Sequence, residues 1–182
     1  LADIDRRLLI VAKSIPLILP GDYHDRAVDP GAISKKEWNA VEIKLTDLAS
    51  ASGVKYAWTD ILDGDRVFMT SCNRTEQTER AGLELYYFMP YPQGVSADEF
   101  YAFRGTQPVF ANFQDKWGSF RAVFVPFTSP GGKKYLACAE YTIDYVEKML
   151  NNSKMILSLI ALSLFLAFFP VFIVYRRNTK RE

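Results

Sequence analysis

The sequence predicts an α+β domain followed by a single membrane-crossing helix. Three observations carry that prediction: helical periodicity confined to the first third of the chain, period-two strands afterwards, and one uncharged apolar run near the C-terminus.

The apolar run is Met155–Tyr175 (MILSLIALSLFLAFFPVFIVY), in which only Ser158 and Ser163 break the hydrocarbon character. About 20 apolar residues span a bilayer core as a helix. A core helix of a soluble domain would carry a polar face, and the position excludes a cleaved signal peptide. Pro170 removes one backbone hydrogen bond, which membrane helices tolerate. Arg176, Arg177, Lys180 and Arg181 crowd the far end, against Lys148 and Lys154 before the span. The positive-inside rule therefore places the C-terminus in the cytoplasm and residues 1–154 outside. The expected organisation is a folded domain over 1–150, a junction at 151–154, the span at 155–175 and a basic stub at 176–182. Because the chain starts at Leu1 and stops at Glu182, an earlier membrane helix and a later cytoplasmic output module are expected.

Composition excludes several functions. The net charge of +1 gives no electrostatic footprint for nucleic acid. Cys72 and Cys138 are too few for a disulfide framework or a cysteine zinc site. The single histidine, His24, stands beside Asp25 in a polar loop, where a turn or capping role outweighs a catalytic one. No metal-spaced cluster, nucleophile elbow or phosphate loop accompanies it, so neither a cofactor nor an enzymatic activity is expected.

Leu1, Ile4, Leu8, Val11, Ile15 and Ile18 recur at helical spacing and stop near Pro16–Gly21. This seam either packs on its own domain or pairs with its twin in a homodimer. Ser34 and Glu37 form a capping box for a second helix with Trp38, Val41, Leu45 and Leu48 as its stripe, closed by Gly53. Val54–Leu62, a turn at Asp63-Gly64 and Arg66–Cys72 read as a hairpin. A long irregular connection, Asn73–Thr106, follows, with the aromatic run LELYYFMPYPQG inside it. Pro108–Phe113, Ser119–Phe127 and Lys133–Ile143 complete five strands, and Asp144–Leu150 begins a helix that can run into the membrane.

The segment QPVFANFQDKWGSFRAVFVPFTSPGGKKYLACAEYTID resembles the extracellular Cache domains of bacterial receptors, which have a PAS-like sheet. Asp115, Trp117 and Gly118 match the turn between the third and fourth strands, Pro126 the end of the fourth, and Gly131-Gly132 the turn before the last. His24–Val28 (HDRAV) is similar to a subgroup found in kinases, diguanylate cyclases and chemoreceptors. The resemblance implies a five-stranded PAS-like sheet behind a long N-terminal helix, and a periplasmic ligand-sensing role in the bacterial inner membrane. The output would be a histidine kinase or diguanylate cyclase. The other course is a periplasmic interaction or dimerisation module with no small ligand. Ala139-Glu140-Tyr141-Thr142-Ile143 departs from the family's aspartate-bearing last strand, and no amino-acid-binding pattern precedes the third strand, so no amino-acid ligand is expected.

On this resemblance the pocket lies between the sheet and the long connection. Tyr86, Tyr87, Phe88, Met89 and Tyr91 would form its lid, and Tyr56, Trp58 and Ser71 its floor. Trp117 marks the adjoining turn. Arg121, sharing a strand face with Val123 and Val125, would hold an anionic small molecule in a bidentate pair, with Arg104 as a second cation. The implied strand order 2-1-5-4-3 puts one strand between Cys72 and Cys138. Two strand spacings are about 9.6 Å, beyond the roughly 7 Å that a disulfide bridges, so both thiols are expected free.

Overall fold

The computed structural model describes residues 1–76, 78, 85–90, 96–115 and 118–178, which form two compact units, Leu1–Ile143 and Asp144–Glu182. In the first unit the elements are α1 (Ala2–Ile18), α2 (Tyr23–Arg26), α3 (Lys35–Ser52), β1 (Tyr56–Asp63), β2 (Arg66–Cys72), β3 (Met89–Pro90), α4 (Ala97–Arg104), β4 (Val109–Asp115), β5 (Gly118–Thr128) and β6 (Lys134–Thr142). Helix α5 (Ile143–Asn178) starts directly where β6 ends.

The antiparallel sheet runs β3-β2-β1-β6-β5-β4. The five longer strands take the order that the Cache resemblance implies. A sixth strand must be added at the β2 edge, because Met89 and Pro90 pair with Met69 and Phe68. Two residues are too few to show a period, which is why the sequence does not reveal it. Strand β5 also continues past Pro126, which stands opposite Leu136, to Thr128. Trp58 is the register partner of both Cys72 and Cys138, so a whole strand separates the two free thiols.

Alternation along the strands gives the sheet two unlike faces. Helices α1 and α3 cover one: α1 packs on β5 and β6, α3 on β1 and β2. Ile4, Leu8, Val11, Ala12 and Ile15 of α1 are buried there, so the helix's own sheet occupies most of the seam. Leu1, Ile10 and Leu17 remain exposed. Helix α3 is capped as the sequence indicates: Ser34 Oγ accepts from the Glu37 N–H, and Gly53 takes the left-handed conformation at φ 74°. Helix α4 covers the other face, where Ala102 and Phe103 join Trp58, Met69, Phe120, Phe124 and Leu136 in one apolar cluster.

The polar loop around His24 is a built corner rather than a turn cap. Its one helical turn, α2, inserts Tyr23, whose hydroxyl donates to the Thr70 carbonyl at 2.7 Å. The His24 ring is buried and stacks on Tyr135 at 3.6 Å between centroids. Asp25 accepts from Ser129 Oγ and, at 2.8 Å, from the Gly131 N–H, while Lys133 Nζ donates to the Ala27 carbonyl. The corner thereby locks the β5–β6 turn to the helical layer. Burial, then the positive charge of Lys133, pushes the His24 pKa down to about 3.

Helix α5 is continuous over 36 residues and runs through the junction expected at 151–154. At 1.5 Å per residue it extends roughly 54 Å. Its Ile143–Phe169 stretch is long and apolar enough to cross a membrane.

Two measurements check the corner. A Cβ on Gly131 would sit 2.6 Å from Asp25 Cγ, whereas one on Gly21 meets nothing within 4 Å. Gly131→Ala is therefore expected to lower the unfolding free energy by about 1–3 kcal/mol in urea titrations, and Gly21→Ala to change it little. The His24 ring protons should show no titration by NMR between pH 5 and 8. Native His24 stays neutral while the unfolded ring binds a proton below about pH 6.5, so this group's contribution is full above that pH and is lost as acid is added.

Candidate ligand-binding cleft

A large cleft lies on the helical side, beyond the β2 edge. It measures about 1160 Å³ and is bounded by the α2–α3 loop (Pro30, Ile33), α3 (Trp38, Asn39, Glu42), Phe68 of β2 and Leu85–Phe88. Helix α3 places Trp38 and Glu42 one turn apart on the same side, so both reach the cleft.

The opposite wall is aromatic. Phe88 stacks on Phe68 at 4.5 Å between centroids, and Tyr87 tilts against Phe88 at 5.6 Å. Phe88 has φ 62°, a left-handed conformation rare for an aromatic residue and costing on the order of 1–3 kcal/mol. Its N–H donates to the Met69 carbonyl at 2.9 Å, which fixes the turn on the sheet edge. The Arg66 guanidinium lies 5.1 Å from the Phe68 ring centroid.

Two buried polar atoms in this cleft have no partner among the described residues: Trp38 Nε1 and the Tyr87 hydroxyl. An indole N–H can only donate, so it calls for an acceptor. Burial, followed by the negative charge of Asp29, pushes the Tyr87 pKa up to about 12, so its hydroxyl keeps its proton. Arg74 spans the floor, pairing with Glu42 Oε2 at 2.7 Å while its backbone N–H donates to Thr46 Oγ1 at 3.0 Å. Lys35 lies at the rim.

The residues singled out from sequence do not form one site. Tyr86, Tyr87 and Phe88 line the cleft, Tyr86 with its ring half exposed. Tyr56 and Trp58 lie across the sheet in the apolar cluster on the α4 side, away from this cleft. Ser71 belongs to a buried hydroxyl cluster at the β1–β2 bulge, 2.6 Å from Thr59 Oγ1. Arg104 is exposed at the end of α4. Tyr91 and Trp117 lie outside the described residues. Arg121 sits on the strand face expected, with Val123 and Val125, but that face carries α1. Its guanidinium grips Asp5 with two hydrogen bonds of 2.9 Å, so it ties a strand to a helix and does not face the cleft. Trp38 and Glu42, which read as ordinary helix residues, are the contributors that sequence reasoning missed. Their spacing on α3 is visible, but the segment opposite them is not.

No protein-family model and no curated protein matches the chain. Solved structures do. The sensor domain of E. coli DcuS superposes with a TM-score of 0.57 at 12% identity, covering 82% of this chain and 96% of that one. The chain thus shares the fold of that domain. The Campylobacter jejuni chemoreceptor Tlp3 sensory domain is a weaker match, with a TM-score of 0.41 at 10% identity over 78% of this chain and 60% of that one. Its isoleucine-bound form gives 0.40 at 9% identity, over 78% and 58%.

Because Arg121 and Asp5 are both mostly buried, removing one partner strands the other. Arg121→Met is expected to lower unfolding stability by about 1–3 kcal/mol, and Asp5→Asn/Arg121→Met to recover part of the loss in chemical denaturation.

Proposed function

We propose that this chain is the extracytoplasmic ligand-sensing part of a transmembrane signalling receptor. A small molecule binds the cleft between α3 and the Leu85–Phe88 wall, and the response passes through α5 to a cytoplasmic histidine kinase or diguanylate cyclase. One observation carries the site: two buried donors, Trp38 Nε1 and the Tyr87 hydroxyl, face an aromatic cleft with no acceptor among the described residues. A protein leaves such groups unmatched at a cost of about 1–3 kcal/mol each, and a ligand acceptor relieves it. The donors, with Lys35 at the rim, suit a small organic carboxylate with an apolar body that rests on Phe68 and Phe88.

The role as a receptor is supported by the PAS-like fold and by an apolar helix leaving the last strand without a loop. Arg176 and Arg177 at the far end favour a cytoplasmic C-terminus. The outer face of α1, with Ile10 and Leu17, is the surface for homodimer contact.

The test is a thermal-shift screen of the chain in detergent against small carboxylates, amines and sugars, followed by calorimetry. A native-state ligand should raise the melting temperature with the logarithm of its concentration. Trp38→Phe and Tyr87→Phe should each weaken binding about tenfold, roughly 1.4 kcal/mol, with circular dichroism unchanged. A ligand that binds both variants as tightly as the unaltered chain places its site elsewhere.

A further inference from the structure

The face of the sheet opposite the cleft holds a second unusual group of side chains. Asp60 of β1 is fully buried, and Glu99 of α4 is 3% exposed. Their carboxyl groups lie within hydrogen-bonding reach of each other beneath the helix. Two carboxylates cannot accept from one another, so the contact requires a proton between them.

Both groups are also tied into the secondary structure. Trp58 Nε1 donates to Asp60 Oδ2 at 2.5 Å, and Cys138 Sγ stands 3.9 Å from the same oxygen. Glu99 completes a reciprocal cap at the start of α4: its N–H donates to Ser96 Oγ at 3.1 Å, and its carboxyl accepts from the Ser96 N–H. The Asp60–Glu99 contact is therefore the polar fastening of the first turn of α4 to the sheet, while Ala102 and Phe103 supply the apolar one. Asp60 Oδ1 and Glu99 Oε1 take a hydrogen bond from no other donor among the described residues.

We infer that α4 is a proton-operated lid: the proton shared by Asp60 and Glu99 holds it on the sheet, and loss of that proton releases it, making the domain responsive to the acidity of the solution around it. The inference is independent of whether the cleft on the other face binds a small molecule.

The surroundings give the sign. Among the described residues no cation contributes to the balance of either acid. The groups facing the pair are Cys138 and Glu140 on β6, Cys72 on β2 and Tyr56 on β1. On α4 itself the other charges, Asp98 and Arg104, point to solvent. Burial, then the negative charge of Asp60 and Glu99 or Glu140, raises both thiols, which stay neutral throughout. Burial, then the charge of Glu99, raises Asp60 well above the ordinary carboxyl range. Burial likewise raises Glu99 to about 7. The folded pair thus binds more protons than the unfolded chain above about pH 4, so its contribution to stability falls as pH rises through neutrality. Past that point a negative charge is buried without a counter-ion, and opening α4 to water relieves it.

Hydrogen exchange of the full chain in lipid nanodiscs tests this, with rates corrected for the intrinsic effect of pH and read on peptides covering residues 96–107. Protection of α4 should fall at least tenfold between pH 5.5 and 8, and remain pH-independent in Asp60→Asn/Glu99→Gln. Equal corrected protection at both pH values in the unaltered chain, or an unchanged pH dependence in the double variant, overturns the inference. Should the double variant fail to fold, Glu99→Gln alone decides. Its amide keeps an acceptor for the Ser96 N–H and supplies Asp60 with a donor, so the transition midpoint should move by at least one pH unit. An unmoved midpoint overturns the inference.

Discussion

The arrangement depends on burying the central strand β6 from both sides. Leu136, Ala137, Cys138 and Ala139 are all fully inaccessible, and each side is solved differently. On the helical side the cross-strand rows are Thr59–Ala137–Val125 and Ala57–Ala139–Val123, with alanine at the centre of each. These small side chains admit α1, whose Ile4, Leu8, Val11 and Ile15 supply the missing volume. On the other side the middle row is Trp58–Cys138–Phe124, where the small thiol lets indole and phenyl rings meet edge to face at 6.2 Å.

This packing explains where room for a ligand is found and where it is not. Aromatic rings from β1, β4 and β5, with Phe103 of α4, fill the face opposite the helices. The sheet thins out beyond β2, because its next strand is only two residues long. There the wall opposing α3 is Leu85–Phe88, tied to the sheet edge through the Phe88 N–H and the Met69 carbonyl, with Phe88 in a strained conformation. A ligand that engages Tyr87 and Trp38 adds hydrogen bonds at this edge of the sheet. Such a region responds to binding more readily than the middle of the sheet.

Much of the fold was legible because period and punctuation agreed. The alternation of Arg121, Val123 and Val125 against Phe120, Ala122 and Phe124 assigned β5 its two faces correctly, and the Ser34–Glu37 box placed the start of α3. What could not be read was which layer each face meets. Arg121 looked like a ligand cation because nothing local indicates that Asp5, 116 residues earlier, lies across from it. His24 looked like a loop residue because its neighbours are polar, yet Tyr135 buries its ring. The cleft was half legible. The tyrosine run announced one wall, while Trp38 and Glu42 were hidden inside a regular helical stripe. Asp60 carried a faint signal, as a carboxylate on the buried side of a strand between Trp58 and Leu62, and Ser96–Glu99 has the spacing of a capping box.

The two proposed inputs converge on one hairpin. Phe68 belongs to the cleft on the helical side, and its neighbour Met69 faces the acid pair as the register partner of Asp60. Asp60 is in turn the partner of Leu136 on β6, the strand that runs without a loop into α5. A proton and a small molecule would therefore act on opposite faces of the same β1–β2 unit, one strand from the outgoing helix. Each shifts the domain only by its differential affinity for the two arrangements. Linkage then makes the coupling reciprocal: a ligand favouring the arrangement with α4 docked raises the affinity of the acid pair for its proton, and acid strengthens that ligand by the same factor. A domain so built would report a combination of ligand and acidity, because a single hairpin cannot move for one input without changing the energy of the other.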